Sequence, residues 1–252
     1  MLRLALILLF VLTLPLRAEE VVLGLSQDEV SINTTFDGSE ILLFGAIKRE
    51  TEIPEDELGV VVAIAGPSQT LDVRRKERRL GIWVNVDTVE VDAAPSFYSV
   101  STSGPWSGIL SEVEDLRHKI SIPRAIRSVG APSTVEDAQS FTDAIIRIRE
   151  ANGSYVVQEG GVQLTEQTLF QTSVKLPSNL TEGDYTTRIF LTRGGKVVSQ
   201  YETTIDVRKV GLERWLYTLS RENAMLYGLM SLAIAIAAGW GASAAFRLLR
   251  HG

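Results

Sequence analysis

The sequence predicts a mainly β fold: one or two immunoglobulin-like β-sandwich units with a two-helix insert, plus one C-terminal transmembrane helix. Three observations carry this. Short apolar runs alternate with a period of two and are punctuated by Gly and Pro turns. Helical spacing within the body is confined to a central segment and its C-terminal edge. Residues 224–246 then run 23 positions without a charge.

Residues 19–106 read as an N-terminal β-sandwich region. Val21-Val22-Leu23-Gly24-Leu25 and Val30-Ser31-Ile32-Asn33 are strand patterns, and Phe36-Asp37-Gly38-Ser39 is a turn signal. Residues 41–47 form a further apolar run with Gly45 inside it. Residues 59–65 are almost continuously apolar and stop at Gly66-Pro67. Leu71-Asp72-Val73, Ile82-Trp83-Val84-Asn85-Val86 and Val89-Glu90-Val91 follow. Many short strands between Gly/Pro turns argue for an antiparallel sandwich over a βαβ fold.

Residues 107–151 are the helical insert. Ile109, Leu110, Val113, Leu116 and Ile120 fall at helical spacing, as do Val135, Ala138, Phe141, Ile145 and Ile148. Ser133 with Glu136 makes a capping box, and Asn152-Gly153 a helix stop. Residues 152–210 return to β, with strands over 154–158, 169–176, 185–193 and 197–207. Gly194-Gly195 between two alternating runs signals a hairpin, since both positions accept positive φ. Tyr185, opening a strand just after Gly183, fits either a tyrosine corner or a plain turn. Leu212, Trp215, Leu216 and Leu219 predict a juxtamembrane helix over 211–223. Whether the two β regions form one domain or two is left open by the pattern.

The chain ends set the topology. Residues 1–18 have the form of a signal peptide: Arg3, an apolar run over 4–14, Pro15, then Ala18 before Glu19-Glu20. Cleavage is expected between Ala18 and Glu19; an uncleaved anchor helix is the alternative. A helix over 224–246 would be roughly 34 Å long, enough to cross a hydrocarbon core of about 30 Å. Arg247, Arg250 and His251 lie in the tail 247–252, so the positive-inside rule puts the tail in the cytoplasm and the body outside.

Composition excludes much. There is no Cys and there are two His in 252 residues, which rules out thiol catalysis, disulfides, iron–sulfur clusters and His-rich metal sites. The formal charge is −6. Residues 19–223 hold 21 basic and 31 acidic residues, a balance that argues against nucleic-acid binding. Glu50, Glu52, Glu55, Asp56 and Glu57 cluster, but their spacing matches no Ca²⁺ loop and the expected Gly is missing. No nucleophile elbow, phosphate loop or H-E-x-x-H motif occurs. The expectation is a protein that is not an enzyme, with no catalytic, cofactor-binding or metal-ligating residues and no cofactor.

Three candidate surfaces remain. Arg74, Arg75, Arg78 and Arg79 form the densest basic run; guanidinium forks suit carboxylate, sulfate or phosphate, while a solvated hairpin explains the run equally simply. Trp83, Phe97, Tyr98 and Trp106, beside Pro95, Gly104 and Pro105, could form a recognition surface or fill the core. Ala233, Ala237, Gly241 and Ala245 recur every four residues, and Ala and Gly make up 11 of the 23 span positions. Small residues at that spacing let a second helix approach closely.

Gly81-Ile82-Trp83-Val84-Asn85, Ala94-Pro95-Ser96-Phe97-Tyr98, Ile145-Ile146-Arg147 and Leu169-Phe170 carry a resemblance. So do Leu176-Pro177, Gly195-Lys196-Val197-Val198 and Tyr227-Gly228-Leu229. Over residues 20–250 the chain resembles the alphaproteobacterial transmembrane protein family, whose members are uncharacterised. The resemblance implies an exported protein of the bacterial inner membrane, single-pass, with its body in the periplasm. It also implies gene proximity to a sulfite-exporter-like membrane protein, and it supplies no catalytic residues. The leading expectation is an accessory protein assisting a polytopic membrane protein such as an exporter, with that protein or a second copy contacted through the span. The alternative is a tethered anion-binding or sensor module.

Overall fold

The computed structural model describes residues 19–33, 36–49, 53–54, 56–130, 135 and 137–250; side chains at 212–214 and 244–250 lie outside the description. The predicted signal segment, the Ser133/Glu136 capping box and three of the clustered acids (Glu50, Glu52, Glu55) fall outside it. The chain divides into a body (residues up to 30 and 37–207) and a smaller unit (31–36 and 208–252).

The body is built on two sheets and a hairpin. The first sheet orders β1 (Glu19–Leu25), β3 (Ser39–Arg49), β10 (Leu169–Leu176) and β9 (Gln163–Thr165). The second orders β2 (Glu29–Ile32), β12 (Lys196–Lys209), β11 (Gly183–Arg193), β4 (Leu58–Ala65), β7 (Tyr98–Thr102) and β8 (Tyr155–Gln158). Early and late strands interleave in both sheets: β10 pairs with β3, and β11 with β4. The two β regions therefore share one sandwich. The hairpin of β5 (Ser68–Arg79) and β6 (Ile82–Pro95) forms a separate two-stranded sheet, with Ala93 of β6 bridged to Arg127.

Burial follows the strand period. Along β10 exposed and buried residues alternate without a break, placing Phe170, Thr172, Val174 and Leu176 inside. β4, flanked by β11 and β7, is buried from Leu58 to Ile64 on both faces. On one face Val61, Ala63, Val100 and Phe190 join a core with residues of the helical insert. The opposite face, with Val60, Val62, Ile64, Ile189 and Leu191, is buried as well.

Turn chemistry holds where the sequence is explicit. Gly194 and Gly195 take φ of 52° and 77° and join β11 to β12. The Tyr185 hydroxyl donates to the Thr181 carbonyl at 2.9 Å, which makes this a tyrosine corner.

The helical insert contains the expected pair, at 112–118 and 139–151, with two four-residue helices beside the first. It comprises α1 (Trp106–Ile109), α2 (Glu112–His118), α3 (Ile122–Ala125) and α4 (Gln139–Ala151). In α2 Val113 and Leu116 are exposed, while Glu114 and Asp115 are buried. The apolar period misleads here because the inward positions do polar work. Asp115 Oδ1 accepts from the backbone of Ile120 (3.1 Å) and Ser121 (2.7 Å), and Oδ2 from the Ser121 hydroxyl (2.7 Å). Glu114 accepts from Arg117 at 2.5 Å and from the Val197 backbone at 3.2 Å. Arg188 on β11 donates to the His118 and Lys119 carbonyls at 2.8 and 3.0 Å, satisfying acceptors that a helix end leaves open.

The second unit carries α5 (Leu212–Glu222) and α6 (Ala224–Arg250). Within α6, residues Ala224–Ser243 form one apolar stretch of mean hydropathy 1.6, and none of it is buried in the chain. A helix apolar all round and uncovered by its own protein is suited to lipid.

Gly45 shows how tightly the first sheet is packed. A Cβ there would sit 2.5 Å from the Phe170 ring and 2.8 Å from the Val22 carbonyl oxygen. Backbone cannot yield as a flexible side chain can, so Gly45→Ala should destabilise the body by about 1–3 kcal/mol. Chemical denaturation of the detergent-solubilised chain, followed by tryptophan fluorescence, checks this.

Candidate functional site

A buried ion cluster begins at Glu19, which opens β1 opposite Arg49 of β3. Its Oε1 lies 2.7 Å from Arg49 Nε and 2.7 Å from Arg193 Nη2, and Oε2 lies 3.2 Å from Arg193 Nε. All three side chains are 8% exposed or less. Arg49 also donates to the Gln167 carbonyl, and Arg193 to the Asp56 carbonyl. Burial alone would raise the Glu19 pKa, but hydrogen bonds and charge from Arg193 and Arg49 outweigh it and hold the carboxyl below its ordinary range. One carboxylate thus ties β1, β3, β11 and two loops together. Its capacity is used up by arginines, so it acts as a structural clamp.

The other buried titratable groups are equally engaged. The Tyr98 hydroxyl donates to Ile120 O at 2.7 Å and accepts from Arg188 at 3.2 Å. The Tyr155 hydroxyl donates to Pro95 O at 2.8 Å, and burial pushes its pKa up to about 12. His118 stacks edge-on against Phe190, with ring centroids 5.5 Å apart, beside Glu114 at 3.5 Å. Among the described residues no group of three or more His, Asp or Glu could hold a metal ion.

Two surfaces are open. The outward face of the first sheet carries a groove of about 600 Å³ lined by Val22, Gly24, Phe44, Ala46, Leu169 and Gln171. The second is the far half of the β5–β6 hairpin. Its base is packed: Val89 and Val91 are fully buried, and Leu71 and Val73 lie against the core. Arg75 fixes the point of departure, with Asp87 at 3.8 Å, Asp137 at 3.5 Å, Ser140 at 2.5 Å and the Phe141 ring at 4.6 Å. The register shifts between Arg75 and Lys76, where a bulge bends the ribbon. Beyond it the strands stand free to the turn at Leu80 and Gly81, roughly 17 Å further at about 3.3 Å per residue.

The sequence-selected residues separate accordingly. Strand alternation puts Arg74 and Arg78 on one face of β5 and Arg75 and Arg79 on the other, so the four do not converge on one anion. Arg74 lies 4.0 Å from Asp72, Arg75 is held as above, and Arg79 pairs with Glu77 at 2.9 Å. The four aromatics separate too. Phe97 and Tyr98 are 1% exposed, so they belong to the core and cannot form a recognition surface. Sheet pairing of β7 on both sides and the Tyr98 hydrogen bonds draw them in. Trp106 is half-buried against the core, and Trp83, 68% exposed, stands on the arm. Ala233, Ala237 and Gly241 are exposed on α6; the Ala245 side chain lies outside the described residues.

Sequence reasoning missed Glu19, Arg49 and Arg193, whose partnership spans 174 residues and leaves no local signal. It also missed Leu80 and Ile82. A Leu-Gly pair between two runs of matching length was the available sign of a hairpin whose tip is apolar.

The family model described as "Putative transmembrane protein (Alph_Pro_TM)" matches residues 20–248. The chain belongs to this family. No curated protein gives a significant match. Membership and the apolar α6 together make this a membrane protein.

The Glu19 clamp makes stability pH-dependent. A carboxyl with a depressed folded pKa adds stability that is fully present above its unfolded pKa, about 4.5, and is lost as pH falls through the folded value. Denaturation midpoints of the solubilised chain should drop below pH 4.5. Glu19→Gln should cost about 3 kcal/mol at pH 7, leaving two buried arginines underpaired, and should reduce that acid-sensitive component.

Proposed function

We propose that the protein is a non-enzymatic accessory subunit whose anchored body and membrane helix dock onto a polytopic membrane protein, such as an exporter. The observation that carries this reading is α6 itself. Among the described residues it is the one helix long and apolar enough to cross a membrane, its apolar stretch is unburied, and Ala233, Ala237 and Gly241 lie exposed along one stripe. Small residues give up apolar contact with lipid and gain close backbone approach to another helix. Buried acids and tyrosines used as structural ties support a binding role over catalysis. In this reading a signal segment is removed before Glu19, the body lies in the periplasm, and Arg247 and Arg250 hold the tail in the cytoplasm.

Mild crosslinking in native membranes, extraction, purification on a tag after Gly252 and mass spectrometry test the proposal. The expected result is a polytopic membrane protein in near-stoichiometric amount. Replacing Ala237 and Gly241 together by Leu should reduce its recovery several-fold while leaving the chain's own membrane insertion intact. Recovery of self-crosslinked species alone would overturn the accessory reading in favour of a homo-oligomer.

A further inference from the structure

The β5–β6 arm ends in a tip whose chemistry the fold does not use. Leu80 is fully exposed, Ile82 is 64% exposed and Trp83 68% exposed. Leu80 and Gly81 take φ of 51° and 87°, the positive values that a two-residue hairpin turn of the primed kind requires. Asn, Asp or Gly relieve that backbone at such a position and suit water as well. Leu does neither, and nothing in the body touches it.

Cations surround this apolar tip. In register, Arg79 faces Ile82, Arg78 faces Trp83, and Lys76 faces Asn85. Lys76, Arg78 and Trp83 therefore share one face of the ribbon, and Arg79 and Ile82 the other. Glu77, paired with Arg79, is the single acid between Arg74 and Arg79. Residues 19–223 together hold 21 basic and 31 acidic residues, so the positive run on the arm stands against the balance of the body.

We propose that the tip is an interfacial membrane contact: Leu80 and Ile82 enter the outer part of the acyl layer, Trp83 sits at the headgroup boundary, and Lys76, Arg78 and Arg79 meet anionic headgroups. Three features select lipid over a folded partner. The tip is convex and narrow, which a fluid surface accepts without a matching pocket. From the turn inward Leu80 comes first, then Ile82 beside Arg79, Trp83 beside Arg78, and Lys76 last; the long Arg side chains can reach headgroups while Leu80, Ile82 and Trp83 enter the interface. The chain also carries its own membrane helix, so a bilayer is present at high effective concentration and a weak insertion suffices. Only membrane attachment is needed, not the accessory role proposed above.

The chain lacks Cys, so Leu80→Cys gives one labelling position in the full protein. The labelled chain is reconstituted alone in vesicles of phosphatidylethanolamine and phosphatidylglycerol, with a polarity-sensitive fluorophore on the introduced thiol. A second preparation carries the label at Gln200→Cys, an exposed position on β12. The expected result is a blue-shifted tip label, quenched by lipid-borne spin labels far more than the reference label. Arg78→Glu with Lys76→Glu should lower the inserted-to-free ratio, roughly fivefold for each cation removed. A tip label as water-exposed as the reference would overturn the proposal. So would a tip label shielded from aqueous quencher yet unreached by lipid quencher, which would mean contact with another copy of the chain.

Discussion

The body depends on one constraint: a carboxylate at its N-terminal edge must lie between two arginines from distant parts of the chain. Glu19 closes the start of β1 on the end of β3 and on the end of β11. A one-residue slip of β1 would turn this carboxylate outward and leave Arg49 and Arg193 buried without a counter-charge. A buried ion pair adds little net stability over an apolar substitute of the same shape. Its consequence here is register. Because β1 and β3 belong to one sheet and β11 to the other, the same contact fixes both sheets at one corner.

Polar ties of the same kind seat the helical insert on the second sheet. Asp115 closes the turn between α2 and α3, Glu114 reaches the β12 backbone, and Arg188 caps α2 from the sheet side. Tyr98 and Tyr155 pair edge to face at 6.4 Å and each bonds a backbone carbonyl across the core. With these groups committed to holding elements together, the unspent chemistry lies outside: on the α6 surface, on the outward face of the first sheet, and at the end of the β5–β6 arm. A rigid base held by Val89, Val91 and Arg75 lets the arm present its tip away from the body.

Local signals were legible wherever one segment carries its own instructions. The Gly194-Gly195 hairpin, the Tyr185 corner, the buried run of β4 and the apolar α6 all follow from period and turn chemistry. The interleaving of early and late strands did not, because strand pairing between β3 and β10 has no local mark. α2 was misread for a different reason. Val113 and Leu116 face water while Glu114 and Asp115 face in, so periodicity pointed to the wrong face. Among the candidate site residues, exposure separated Trp83 from Phe97 and Tyr98, a distinction that composition cannot make.

Energetic coupling between Glu19 and Arg193 across the sandwich, rather than mere proximity, is the central claim. A double-mutant cycle with Glu19→Gln and Arg193→Met, read by denaturation of the solubilised chain at pH 7, measures it directly. The expected coupling energy is about 2 kcal/mol or more, with the double variant far less damaged than the sum of the singles. Additivity within about 0.5 kcal/mol would contradict the claim, and the two sheets would then have to be held in register by packing alone.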